Sequence, residues 1–162
     1  MSLVVTAIYP DHASAELVRQ HLLDIGVDRD DIWVIPDRAI TVEAGRYRDP
    51  ADYAEDLHAL HLPDSDLYTY QHAVRRGDHV VSTEVDEAKV ERVKEIMRHP
   101  ESAPYEFASR SSEFRDEARI PYAGERAALE EDWRARPLSA QDDPYARTYE
   151  RKRRLEAGRR IP

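Results

Sequence analysis

The chain has 162 residues, 41% of them hydrophobic and 35% charged, with a net charge of −9. That is one domain of ordinary size, or a smaller domain with an appendage. With no cysteine there are no disulfides, thiol nucleophiles, iron–sulfur clusters or thiolate-bound zinc, and no stretch reaches the ~20 apolar residues that cross a bilayer.

The β-branched and aromatic run at 3–9 predicts a strand ending at Pro10. Asp11 is a plausible N-cap, and Leu17, His21, Leu22 and Ile25 fall at helical spacing before Gly26, which predicts a helix over 12–25. A polar turn then leads to a second strand at 32–36. Residues 37–50 read as a loop. Short helices are expected at 52–60 and 64–76, the second ending in Arg75-Arg76-Gly77, where late cations and a C′ glycine agree as stop signals. A third strand follows at 79–85. Asp86 then opens an amphipathic helix carrying Val90, Val93, Ile96 and Met97, which Pro100 ends. Residues 103–108 complete the set as a fourth strand.

The order β-α-β, helical insert, β-α-β predicts an α+β, ferredoxin-like sandwich over 1–110. The strands carry apolar residues at both parities, Val4 and Ile8 against Val5 and Tyr9. Both sheet faces therefore want cover, and a homodimer is the expected closure.

Residues 111–162 read as a separate tail, partly helical (124–136 and 144–158) or disordered. Phe114, Tyr122, Trp133, Tyr145 and Tyr149 are its anchors for a partner subunit, with Arg151, Arg153 and Arg154 as its cations. Charge supports this division: residues 1–110 carry net −10, and the last sixteen carry +5. An acidic body repels phosphate backbones, so the body is not expected to bind nucleic acid. The basic end suits the acidic body of a second copy or, as an alternative, an anionic surface or a nucleic acid. The N-terminus has no basic flank and no signal-type apolar stretch, so a cytoplasmic location is expected.

Two blocks of the chain resemble a known family. The first joins Val4-Val5-Thr6-Ala7-Ile8-Tyr9, the first helix, and Ile25-Gly26-Val27 through Ile32-Trp33-Val34-Ile35. The second runs from Leu62-Pro63-Asp64-Ser65-Asp66-Leu67-Tyr68-Thr69-Tyr70 to Val74-Arg75-Arg76-Gly77, with His79-Val80-Val81 after it. Order and spacing over about 3–110 resemble the YflT-type general stress protein domain. Asp78 stands where that family usually has a second glycine. The resemblance implies a fold and a stress association; it implies no reaction and no catalytic residue.

Candidate chemistry is sparse. Glu55, His58 and His61 sit at helical spacing and could ligate a metal, although they lack the His-Glu-x-x-His order of zincins. Surface histidines are the simpler expectation. Tyr68, Tyr70, Arg75 and Arg76 could line an anion pocket, since arginine forks suit carboxylate and phosphate; a helix with one core tyrosine and a basic last turn is the simpler expectation. The five glycines form no phosphate-binding loop. No cofactor is expected. The leading functional expectation is a non-catalytic, self-associating stress module, with a small-ligand or metal-binding protein or enzyme as its rival.

Overall fold

Strand β1 runs over Ser2–Tyr9 and helix α1 over His12–Asp24 in the computed structural model, which describes residues 2–37, 47–49, 51, 53–115, 136–137 and 143–151. Asp11 caps α1, its carboxylate accepting from the Ser14 backbone N–H at 2.8 Å and satisfying an orphan donor of the first turn. The helix ends in a Schellman closure, with Gly26 N–H donating to Leu23 O and Val27 N–H to Leu22 O. Gly26 holds φ 93, a conformation that other residues adopt only with strain. A 3₁₀ turn at Arg29–Asp31 leads into β2, Ile32–Ile35.

Two helices follow, α2 over Ala54–Ala59 and α3 over Asp64–Arg75. α3 closes as α1 does, through Gly77, with Gly77 N–H on Val74 O and Asp78 N–H on Ala73 O. Strand β3 spans His79–Val85, α4 Val90–Met97 and α5 Phe107–Glu113. A 3₁₀ turn at Glu87–Lys89 precedes α4, without the expected side-chain cap from Asp86. Two late strands, β4 at Arg136–Pro137 and β5 at Arg147–Arg151, complete the described elements.

The strands form one sheet in the order β2-β3-β1-β5-β4, every pair antiparallel. The expected α+β class holds. β1 is central: Leu3 to Tyr9 pair with Val85 to His79 of β3, and Ser2 to Thr6 pair with Arg151 to Arg147 of β5. Because successive side chains alternate, β1 feeds two layers. Leu3, Val5, Ala7 and Tyr9 pack with Val18 and Leu22 of α1 and Val93 and Met97 of α4. Val4 and Ile8 pack on the other side with Leu57 of α2, Leu67, Tyr70 and Val74 of α3, Phe114 and Tyr149.

Three expectations change. Residues 103–108 do not form the fourth strand. Ala103 turns with φ 48, Tyr105 N–H donates to Ile8 O at 2.8 Å in a single bridge, and α5 starts at Phe107. The place beside β1 belongs to β5, which lies inside the segment expected to be helical at 144–158. Residues 124–135 and 152–158, the rest of the expected tail helices, lie outside the described residues. The second sheet face is covered by α2 and α3 of the same chain, so the uncovered face that argued for a dimer is filled in cis. Phe114 and Tyr149, expected to anchor on a partner, are wholly buried in that layer.

Candidate functional site

The second face carries a polar seam. Arg147 and Tyr149 share a parity on β5 and pair with Thr6 and Val4. Thr6 Oγ1 lies 2.9 Å from Ser82 Oγ in the next strand. Above them stands α3. Tyr149 Oη donates to Asp66 Oδ2 at 2.7 Å, and Arg147 Nε donates to the same oxygen at 2.7 Å. Tyr70 and Tyr149 hydroxyls are 2.7 Å apart. A phenol has one hydrogen, and Tyr149 spends its own on Asp66, so Tyr70 donates to Tyr149. Burial raises the pKa of both phenols; for Tyr149 the facing Tyr70 and Asp66 add to the rise. Both stay protonated and act as hydrogen-bonding struts between α3 and β5.

Arg147 is also the wall of a cleft of about 440 Å³, lined with Tyr68, Phe107, Ala108, Ser111, Ser112 and Arg115. Its guanidinium carbon sits 4.7 Å from the centre of the Phe107 ring, a cation–π distance. Tyr68 donates to Phe114 O at 2.5 Å and so ties α3 to the end of α5. Thr69 Oγ1 donates to Ser111 Oγ at 3.1 Å, and Arg115 Nη2 to Ser112 Oγ at 3.1 Å. The cleft is thus built where α3, α5 and β5 meet.

Of the expected anion-site residues, Tyr68 lines this cleft. Tyr70 is fully buried behind it. Arg75 lies over the Tyr47 ring at 4.1 Å and Arg76 over Phe114 at 5.1 Å; neither is among the cleft's lining residues. The pocket's cations are Arg115 and Arg147, which sequence reasoning missed along with Phe107, Ser111 and Ser112. Two signals existed. Ser111 and Ser112 stand four and three residues before Arg115, one helical face, and Arg147 and Tyr149 alternate at strand period.

The expected metal group is not assembled. His58 is buried on α2 with Nε2 3.2 Å from Gln71 Nε2, His61 follows the helix with φ 54, and Glu55 is exposed. Among the described residues the three-ligand group with all donor atoms within 4.8 Å is instead His12, Glu16 and Asp37. Arg19 already fills that group: it donates to Asp37 Oδ2 at 2.9 Å and Oδ1 at 3.0 Å, and to Glu16 Oε1 at 3.1 Å. A dication there would face a guanidinium, so this is an ion-pair cluster. The Arg19 bonds lower the Asp37 pKa.

Two displaced titrations lie at the end of α3. Burial raises Asp78 to about 6 against the pull of Arg110, whose Nη2 is 2.6 Å from Asp78 Oδ2. Burial and the Arg48 charge lower His79 to about 4. Arg48 donates to the Val74 carbonyl at 2.9 Å, the Asp78 carbonyl at 2.6 Å and the Gly77 carbonyl at 3.2 Å, and lies 3.1 Å from His79 Nε2. It closes the C-terminus of α3, the negative end of the helix dipole. Since Arg48 occupies Nε2 as donor, His79 carries its proton on Nδ1, 3.0 Å from Pro36 O.

The remaining tail residues divide. Tyr145 is half-buried and its N–H donates to Asp143 Oδ1 at 2.9 Å. Arg151 ends β5. Tyr122, Trp133, Arg153 and Arg154 lie outside the described residues. No helix among the described residues is long and apolar enough to cross a membrane. No family model, no curated protein and no solved structure matches the chain.

Proposed function

We propose that this chain is a non-catalytic, cytoplasmic ligand-binding module on a ferredoxin-like sheet, stress-associated as its resemblance to YflT-type domains implies. The strand order supports the ferredoxin-like reading: β1-α1-β2 and β3-α4-β5 are two split β-α-β units, with β5 as the fourth strand. One observation carries the binding role. The cleft between α3, α5 and β5 is walled by hydrogen-bond donors and aromatic rings, while the displaced acid and base, Asp78 and His79, are clamped by Arg110 and Arg48 outside its lining. Such a wall holds a ligand; proton transfer needs an acceptor or acid facing it.

Saturation-transfer NMR with a mixture of neutral and anionic single-ring fragments tests the reading. At least one fragment is expected to bind, to lose its signal in Ala108→Trp, which fills the cleft from an exposed position, and to be recovered chemically unchanged. No fragment sensitive to Ala108→Trp, or conversion of one, would defeat it. Protein abundance that stays level under osmotic or heat stress would remove the stress association.

Self-association retains one argument. β2 stands at the edge of the sheet, with β3 as its neighbour, and an edge strand is a template for pairing with another copy. Light scattering across a micromolar concentration series decides this, a monomer throughout being the adverse result.

A further inference from the structure

Resting on the binding role of the cleft, we infer that its ligand is a small organic oxyanion, a carboxylate or phosphate carried on a flat apolar group. Arg147 is prepared for such a headgroup. Its Nε is committed to Asp66 Oδ2 and its face lies against Phe107, so the guanidinium is fixed in position. Among the described residues no partner takes its two Nη groups, which leaves donors in the fork geometry that matches a carboxylate or phosphate edge. Fixing the fork before binding lowers the ordering cost of capture.

The hydroxyls point to the same ligand chemistry. Ser111 Oγ accepts from Thr69, and Ser112 Oγ accepts from Arg115. Each serine therefore uses a lone pair within the protein and keeps its hydrogen to donate. Arg115 adds a second cation on the open side. Asp66 offsets one of the two arginine charges, so the group keeps net +1 inside a chain of −9. That balance admits a small anion and repels a polyanion.

The apolar half of the ligand follows from the other wall. Phe107 and Tyr68 give ring surface, and Ala108 leaves space beside them. A cleft of about 440 Å³ is within the range of small-ligand sites, roughly 300–1,000 Å³.

The test is a titration of the full chain with phenyl phosphate, benzoate, benzyl alcohol and inorganic phosphate, followed by NMR or calorimetry. Phenyl phosphate or benzoate is expected to bind one to one, at least tenfold tighter than benzyl alcohol or inorganic phosphate. Arg115→Gln should weaken it severalfold, and Arg147→Gln at least tenfold. Because Arg147→Gln also removes a partner from buried Asp66, Ala108→Trp gives the independent loss in a fold whose Asp66 pair is intact. Benzyl alcohol binding as tightly as the anions, with sensitivity to Ala108→Trp, would overturn the oxyanion claim and leave the binding role standing. Inorganic phosphate binding as tightly as phenyl phosphate would overturn the ring's part. Anion binding indifferent to Ala108→Trp and Arg115→Gln would overturn the site.

Discussion

The two faces of the sheet are filled by different chemistry. Under α1 and α4 the layer is almost wholly aliphatic, and its one phenol among the described residues, Tyr9, donates to Met97 O at 2.7 Å. Under α2 and α3 the layer holds Tyr53, Tyr70, Phe114 and Tyr149, and Asp66, Thr69 and His72 are buried on α3 beside it. The aliphatic layer draws on residues from 3 to 146. The aromatic layer draws on residues from 4 to 149 and is joined by directional bonds. Dispersion and burial stabilise the first face through shape alone; the second needs hydrogen-bond partners for each buried polar group. That requirement places fixed donors at the cleft, so the face that is harder to build is the one for which we propose ligand binding.

The comparison breaks most completely by truncation after residue 110. This deletes β5, the neighbour of central β1, together with wholly buried Phe114 and Tyr149. The expected outcome is loss of the cooperative thermal transition, read by circular dichroism; a sharp transition in the truncate would show that the second face is dispensable. The next effect belongs to the first face. Leu22→Ala opens a cavity in a dry layer and should cost about 2–5 kcal/mol, measured by urea unfolding, with the cleft's affinity for phenyl phosphate unchanged.

What was legible follows the same division. α1, β2, β3 and the α4 face could be read because their patterns are local: a cap, a Gly at C′, a run of Val and Ile, a 3.6-residue repeat. The short helices α2 and α3 were also readable, since Pro63 and Arg75-Arg76-Gly77 punctuate them. β5 was not. Arg147-Thr148-Tyr149-Glu150 is followed by a run rich in Arg, Lys, Leu, Glu and Ala, all good helix formers. Its strand state comes from pairing with β1, a partner more than 140 residues away in sequence, and strand propensity is largely such context. The candidate site was half legible for that reason. Tyr68 stands on a helix the sequence declares, whereas Arg147 reaches the cleft through a strand that it does not.

Tyr149→Phe sharpens the comparison from the second face. The ring still fills its place, so the aromatic layer keeps its volume. The lost hydroxyl removes one donor from Asp66 and the acceptor of Tyr70. Leaving buried polar atoms short of a partner costs roughly 1–3 kcal/mol. Urea unfolding should show that loss, and the same change should weaken phenyl phosphate binding, because Asp66 then holds Arg147 alone. Equal stability with unchanged binding would show that the seam does not brace the cleft.

The smallest expected effect is a tilt in the pH dependence of stability, set where α3 passes into β3. His79 falls to about 4 in the folded chain from an ordinary value near 6.5. The folded state then binds fewer protons than the unfolded state, so this contribution is complete above pH 6.5 and is lost as pH falls through 4. Asp78 rises to about 6 from an ordinary value near 3.9. Its folded state binds more protons, so its contribution is complete below pH 3.9 and is lost as pH rises through 6. Between pH 4 and 6 the two slopes oppose each other, and the wild-type curve is flattened. His79→Asn keeps a donor for Pro36 O and removes the first slope. Relative to wild type, that variant should gain stability between pH 7 and pH 5, on the order of 1 kcal/mol once solvent screening is allowed for. Asp78→Asn should tilt the other way. Thermal melts at the two pH values measure both, and a common tilt in the two variants would mean that neither group titrates as its surroundings dictate.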